Sequence, residues 1–253
     1  MLNAFYFSPT FSTKKIVTLI AKGLDPNFSE KDITLGIDSE FILNDTDTAI
    51  IGIPVHNGRV PALVVESLKK IKGNKTNLIT VAVYGSRDYD DTLLELNDIC
   101  QGQGFNIIAS ATFVAQHSLN DTIATGRPNK EDLLKLEEFT LKIKDKLKTP
   151  EQDSSVKVKG KFPYRKKPGL PIYPIVNEKC NNCGLCAKEC PVGAIDFEDP
   201  KIINRKICLS CMRCFNICPQ GAREHNTKPI AMFLLNTLNK FVFKGYKEPE
   251  LFI

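Results

Sequence analysis

Residues 1–148 alternate between two spacings of apolar positions. Short runs read as strands: "NAFYFS" (3–8), "ITLGI" (33–37), "TAIIGIPV" (48–55), "NLITVAVYG" (77–85) and "NIIASATF" (106–113). Several are apolar almost throughout, as a parallel sheet covered on both faces demands. Between them the apolar spacing lengthens to three or four residues. Ile16, Val17, Leu19 and Ile20 mark a helix starting near Thr13, and Val64, Leu68 and Ile71 mark one after Pro61. A third helix spans about 90–101, and a fourth, about 130–148, carries Leu133, Leu136, Phe139, Ile143 and Leu147. Five strands alternating with helices predict an α/β domain over residues 1–148, built on a doubly wound five-stranded parallel sheet. In that architecture ligands gather beyond the carboxyl ends of the strands.

The periodicity stops at residue 149. Pro150, Pro163, Pro168, Pro171 and Pro174, with Ser154, Ser155, Gly160 and Gly169, mark residues 149–174 as a linker. Fully extended, the stretch 151–174 reaches roughly 80 Å; as a random coil it spans about 27 Å. A small cysteine-rich domain follows at 175–229, and 230–253 reads as a C-terminal helix and tail. Charge is distributed unevenly over these pieces. Residues 1–150 carry 17 Lys/Arg against 19 Asp/Glu, residues 151–179 carry 7 against 3, and residues 180–253 carry 10 against 7. "KVKGKFPYRKKPG" therefore concentrates the positive excess. With few interleaved aromatics it reads as a solvated linker, or a docking surface for an acidic protein, ahead of a nucleic-acid patch.

Hydrophobic residues at 42% and charged residues at 25% place the chain among ordinary globular proteins. No basic region precedes the first apolar residues, so the start does not read as a signal peptide. No run of 18 apolar residues predicts a membrane span; "IAMFLLNTLNKFVF" (230–243) is broken by Asn236, Thr237, Asn239 and Lys240. Nine cysteines in that context point to a reducing, cytoplasmic setting and to thiolate ligation, not to structural disulfides.

Eight of those cysteines fall in two runs. Cys180, Cys183, Cys186 and Cys190 recur 28 residues later as Cys208, Cys211, Cys214 and Cys218, and Pro191-x-Gly193-Ala194 recurs as Pro219-x-Gly221-Ala222. The chain thus holds two copies of one small unit, each C-x2-C-x2-C-x3-C-P, the spacing of the bacterial ferredoxin run. A short loop wraps three thiolates around one face of an iron–sulfur cube, and the fourth, one helical turn on, points to the other cube. That logic assigns Cys180, Cys183, Cys186 and Cys218 to one [4Fe–4S] cluster and Cys208, Cys211, Cys214 and Cys190 to a second. Zinc also takes four thiolates, but a zinc ribbon needs two pairs, not two quartets each ending in Pro. "AIDFEDPKII" between the runs reads as a small hairpin. Cys100, alone on a helix face, reads as a buried small apolar residue. "GQGFN" (102–106) follows that helix and reads as its stop, not a phosphate loop.

The loops at the carboxyl ends of the strands carry the remaining chemistry. After the first strand, "SPTFSTKK" leads straight into a helix, whose free amides and dipole suit an anion. An ordinary Ser/Thr helix cap fits the same residues. The stretch "YFSPTFSTKK" resembles the phosphate loop of flavodoxins. "IPVHNGRVP" (53–61) and "YGSRDYDD" (84–91) resemble the flavin-flanking loops of a family of anaerobe proteins that fuse a flavodoxin-like domain to a two-cluster ferredoxin. The likeness runs in order through nearly the whole chain, and the two cysteine runs are its most specific part.

The resemblance implies an electron-transfer protein with FMN and two [4Fe–4S] clusters. Ser8, Thr10, Phe11, Ser12 and Thr13 would then hold the FMN phosphate. Pro54, Val55, His56, Asn57, Gly58 and Arg59, with Tyr84, Gly85, Ser86, Arg87, Asp88 and Tyr89, would border the isoalloxazine. Where His56 and Asn57 stand, the family pattern has an aromatic and a glycine. The alternative is a two-cluster ferredoxin whose flavodoxin-like domain binds no flavin and serves as a docking module.

Several residues have two readings. Tyr84 or Tyr89 stacks on the flavin, or is a strand-end tyrosine. Arg59 and Arg87 stabilise a reduced, anionic flavin, or form ion pairs. Asp88, Asp90 and Asp91 read as helix-cap and first-turn acids. His117 reads as a satisfied loop histidine ahead of a proton relay, and His225 as incidental. No nucleophile–base constellation is present.

Overall fold

A computed structural model describes residues 1–148, 156–166, 172–226 and 247–253. These divide into two compact units, with boundaries between Lys167 and Pro168 and between Tyr246 and Lys247. Most of the tail helix expected at 230–253, and the linker residues 149–155 and 167–171, lie outside the described residues.

The first unit begins with β1 (Leu2–Tyr6), α1 (Ser12–Leu24), β2 (Ser29–Asp32), β3 (Phe41–Leu43) and β4 (Thr48–Pro54). It continues through α2 (Ala62–Leu68), β5 (Ile71–Gly73), β6 (Thr76–Tyr84), α3 (Thr92–Gly102), β7 (Phe105–Val114) and α4 (Lys130–Lys148). The second unit holds β8 (Pro174–Val176), α5 (Leu185–Lys188), α6 (Arg213–Asn216) and β9 (Arg223–His225). The chain then returns to the first unit for β10 (Glu250–Phe252).

The main sheet runs β10-β7-β6-β4-β1-β2. Its five strands from β7 to β2 are parallel, and β10 adds antiparallel to β7. Counting only the five parallel strands in chain order, the arrangement is 2-1-3-4-5, the flavodoxin-like doubly wound order. Alternation along β6 sends Val81 and Val83 to the face covered by α1 and α4, and Ala82 and Tyr84 to the face carrying Leu93 of α3. Ile16, Val17 and Ile20 of α1 and Leu136, Phe139 and Ile143 of α4 complete the first face. Phe113 and Phe139 meet there edge to face at 6.1 Å. Apolar side chains are thus needed on both sides of each central strand, which is why those strands read as continuous apolar runs.

Three sequence expectations change. The second strand is the polar Ser29–Asp32, because β2 is an edge strand with little to bury. The apolar "ITLGI" is instead its exit turn. Ile33 N–H donates to Tyr6 O at 3.0 Å, Asp32 Oδ1 accepts from Thr34 N–H at 2.8 Å, and Gly36 sits at φ +91°. Ile71 leaves the helix after Pro61 and starts β5, which pairs in parallel with β3 as a separate two-stranded ribbon. Residues 156–166 pack on the first unit instead of standing free as linker. Asp91 accepts from Lys161 N–H at 2.9 Å and from Arg165 N–H at 2.7 Å, and Val158 joins the apolar cluster around Tyr84 and Tyr89.

In the second unit β8 and β9 pair antiparallel, and an Ile195–Ile203 bridge closes the expected hairpin. Cys100 is buried in α3, where the apolar surroundings push its thiol pKa up. The same helix stops at Gly102, and Gly104 turns out of it at φ +87°. No helix among the described residues is long and apolar enough to cross a membrane.

Candidate functional site

At the carboxyl end of β1 the chain turns tightly into α1. Ser8 is buried; its N–H donates to Thr34 Oγ1 at 2.9 Å and its Oγ accepts from Lys14 N–H at 2.9 Å. Phe11 takes the cap position with φ +65° and makes no side-chain cap. The first-turn amides of α1, at Ser12 and Thr13, have no intrahelical partner by geometry, and that turn contains no acidic residue. Thr10 Oγ1 lies 3.2 Å from Ser12 Oγ. Lys14 is held by Glu30 at 2.8 Å and lies over the Tyr6 ring, and Lys14 lowers the Glu30 carboxyl below the usual range. Amides and hydroxyls are the donors this loop presents, and their chemistry fits a phosphate.

Pro54 ends β4, and Val55 N–H donates to Val83 O at 2.8 Å. His56 and Arg59 then exchange backbone hydrogen bonds at 3.2 and 3.1 Å around Asn57 and Gly58, both at positive φ. This is the two-residue hairpin for which Asn-Gly is the favoured pair. His56 stands edge-on to Phe7 at 6.4 Å. Arg59 is committed elsewhere: Nε and Nη2 each lie 2.7 Å from a Glu95 carboxylate oxygen, and Nη1 donates to Arg165 O at 2.6 Å. Its guanidinium also covers the Tyr164 ring at 4.8 Å. Of the two readings for Arg59, the structure gives the ion pair.

The 84–89 loop lies beside this hairpin, since Asp91 N–H donates to Gly58 O at 3.1 Å. Tyr84 and Tyr89 are both buried and pack edge to face on each other at 5.7 Å. Tyr84 Oη donates to Glu248 O at 3.2 Å, and Tyr89 Oη to Glu250 Oε2 at 2.8 Å. Burial raises both phenol pKa values, and Glu250 adds to the shift. Neither ring offers an exposed face for stacking.

Ser86 has φ +67° and accepts from Lys247 N–H at 3.3 Å. Arg87 pairs with Asp90, and Asp88 Oδ1 accepts from Asp90 N–H at 3.0 Å. Asp91 occupies the cap position of α3 without capping it, because its carboxylate holds residues 161 and 165. His117 packs on Gly85 and accepts Leu119 N–H at Nδ1, 3.1 Å away; burial lowers its pKa.

The second unit carries its duplication into the backbone. Asn182 and Ser210, Gly184 and Met212, and Gly193 and Gly221 are pairs 28 residues apart, and every member has positive φ. Gly184 and Met212 open the short helices α5 and α6. Ala194 N–H donates to Cys190 Sγ at 3.2 Å, and Ala222 N–H to Cys218 Sγ at 3.3 Å. One pocket is lined by Cys180, Cys183 and Cys186 of the first run together with Cys218 of the second, and by Arg223. Burial raises the Cys208 thiol, with a smaller contribution from Cys190.

Burial pushes the Cys211 thiol up to about 11 and the Cys214 thiol to about 12. Such thiols ionise readily only when a metal compensates the charge. Among the described residues, no three His, Cys, Asp or Glu side chains converge tightly enough to hold a single metal ion. Four cysteine thiols lining one pocket are a donor set that fits an iron–sulfur cluster.

Sequence reasoning did not identify Thr34, Glu95, Glu248, Glu250 or Arg223 as parts of these sites. Arg223 alone left a signal: it occupies the place in the second run that Ile195 holds in the first.

Two matches to models described as a 4Fe-4S binding domain cover residues 173–196 and 205–221. A ferredoxin-like protein in the nif region of Rhizobium leguminosarum bv. trifolii is 39% identical over 54 residues, covering 19% of this chain and 84% of that protein. Rubredoxin oxygen:oxidoreductase from the anaerobe Desulfovibrio gigas aligns with TM-score 0.43 and 18% identity over 58% of this chain, which spans 36% of that one. Fusobacterium nucleatum flavodoxin bound to flavin mononucleotide aligns with TM-score 0.41 and 17% identity, over 57% of this chain and 97% of that one. The flavodoxin-like assignment rests on the strand order itself. With both cysteine runs matched and most of a ferredoxin-like relative covered, the chain belongs to the 4Fe-4S ferredoxin family, in a form that carries a flavodoxin-like α/β unit on the same polypeptide.

Proposed function

We propose that the protein transfers electrons between FMN, seated at the carboxyl end of the main sheet, and two [4Fe–4S] clusters, and passes them on to redox partner proteins. The observation that carries this reading is the crossing of the cysteines: Cys218 joins Cys180, Cys183 and Cys186 around one pocket. When bound, the flavin supplies two-electron chemistry divisible into single steps, and the clusters supply one-electron relay. The chain's own part is binding and environment. The first turn of α1 offers amides to a phosphate, and the paired loops 54–59 and 84–89 form a wall for the ring. The Ala194 and Ala222 amides donate to cysteine sulfur. Lys157, Lys161 and Lys166 are exposed and suit an acidic partner.

The test is anoxic purification with iron, sulfide and flavin analysis. About eight irons, about eight sulfides and about one FMN per chain are expected; colourless protein free of sulfide refutes the cluster reading. A second reading, a two-cluster ferredoxin whose α/β unit is a flavin-free docking module, is favoured by the burial of Tyr84 and Tyr89. Full iron with no flavin, after reconstitution with excess FMN, selects it.

A further inference from the structure

We propose that Arg223 makes the two clusters inequivalent, raising the reduction potential of the one held by Cys180, Cys183, Cys186 and Cys218 above that of its neighbour, so that a single electron resides there. The inference rests on the cluster reading above and goes beyond it. The duplicated units supply an internal control, because their backbones match position for position at the paired positive-φ residues. One residue past the shared Pro-x-Gly-Ala, however, the copies diverge: Ile195 in the first and Arg223 in the second. Both side chains are buried, at 6% and 3% exposure. Ile195 packs in the small apolar cluster with Cys186 and Cys214.

Arg223 instead lines the pocket of the first cluster, where Nη2 donates to Cys186 Sγ at 2.7 Å and to Pro200 O at 2.8 Å. Its Nη1 is buried and has no partner among the described residues. A buried cation with an unsatisfied donor is costly unless an anion faces it. Four thiolates at the pocket wall bring that negative charge.

Adding an electron makes a cluster more negative. A nearby guanidinium favours that state, and an N–H···S bond draws density from sulfur in the same sense. Ile195 supplies neither effect. The other buried arginine of this unit, Arg213, pairs with Glu189, so its charge is largely cancelled. The direct bond goes to Cys186, so the centre that Cys186 holds feels the charge more than its neighbour does.

The experiment is an EPR-monitored redox titration of anoxically purified holoprotein, after iron and sulfide analysis. Wild-type protein is expected to give two separate midpoint potentials. Arg223→Ile, which copies the first unit, is expected to lower the higher potential and narrow the gap; Arg223→Gln, neutral but still polar, moves it in the same direction. Coincident midpoints in the wild type overturn the proposal, and so does an unchanged gap in either variant with full iron. Coincident wild-type midpoints overturn the proposal even if neither variant holds iron, whereas its support comes from the narrowing of the gap in an iron-replete variant. Absence of iron from the wild type is a different failure, that of the cluster reading.

Discussion

Arg59 and Glu95 form a bidentate ion pair, two contacts of 2.7 Å between side chains that are 17% and 7% exposed. The same carboxylate also accepts Val60 N–H at 2.8 Å. Glu95 therefore fixes the exit of the 54–59 hairpin from within α3. Removing it strands a half-buried guanidinium and a buried amide. Glu95→Ala is expected to destabilise the first unit by about 3 kcal/mol, as breaking one partner of a buried pair does. Urea unfolding reads this as a lower midpoint at constant slope. A midpoint within error of wild type would mean that the pair is as weak as an exposed one.

Gly58 sits at φ +75°, where an added Cβ comes within 2.7 Å of Asp90 Cβ. Backbone and space both exclude a side chain there, and the hairpin and the 84–89 loop meet at this point. Gly58→Ala is expected to cost more than about 1 kcal/mol. It is also expected to weaken FMN binding measured by flavin fluorescence. Ala at Gly102, which has open space around it and no positive φ, is the control and leaves FMN affinity unchanged.

What the sequence made legible follows from what is local. The cysteine runs declare themselves by spacing, and β4, β6 and β7 by apolar runs, because both signals lie within ten or so residues. The polar Ser29–Asp32 strand does not, since an edge position asks for little burial. Nor does β10: three residues pair with β7 across 138 positions of sequence, as in Glu250 opposite Thr112. The burial of Tyr84 and Tyr89 depends on that same distant segment, so their rings read as candidate stacking platforms until Glu248 and Glu250 are placed. Arg59 was ambiguous for a similar reason. Its partner Glu95 is 36 residues away, on a helix whose acidic position looks like an ordinary solvated one.

His117 gives the first unit a pH response. Its Nδ1 must be unprotonated to accept Leu119 N–H, and burial holds the imidazole below its usual value near 6.5. Below pH 6.5 the unfolded chain binds this proton before the folded one does. The contribution is therefore complete above pH 6.5 and is lost as pH falls through the lowered folded value. The urea midpoint is expected to decline between about pH 7 and pH 5, and His117→Gln to flatten that decline. Identical pH profiles for the two proteins would leave His117 without a part in it.

The crossing of ligands between the two cysteine runs makes a prediction that iron content alone can decide. If Cys218 serves the cluster of Cys186, the double variant Cys186→Ser/Cys218→Ser damages one centre and leaves the other four ligands intact. Cys186→Ser/Cys190→Ser, although confined to a single run, then damages both. The first variant is expected to keep about four irons per chain and the second almost none. Uncrossed ligation predicts the reverse, because Cys186 and Cys190 would then belong to one cube. Pocket lining favours the crossed order, with Cys218 beside Cys180, Cys183 and Cys186. Its consequence is that neither run can assemble a complete site alone, so the two clusters are expected to be inserted together, with few chains carrying only four irons during reconstitution.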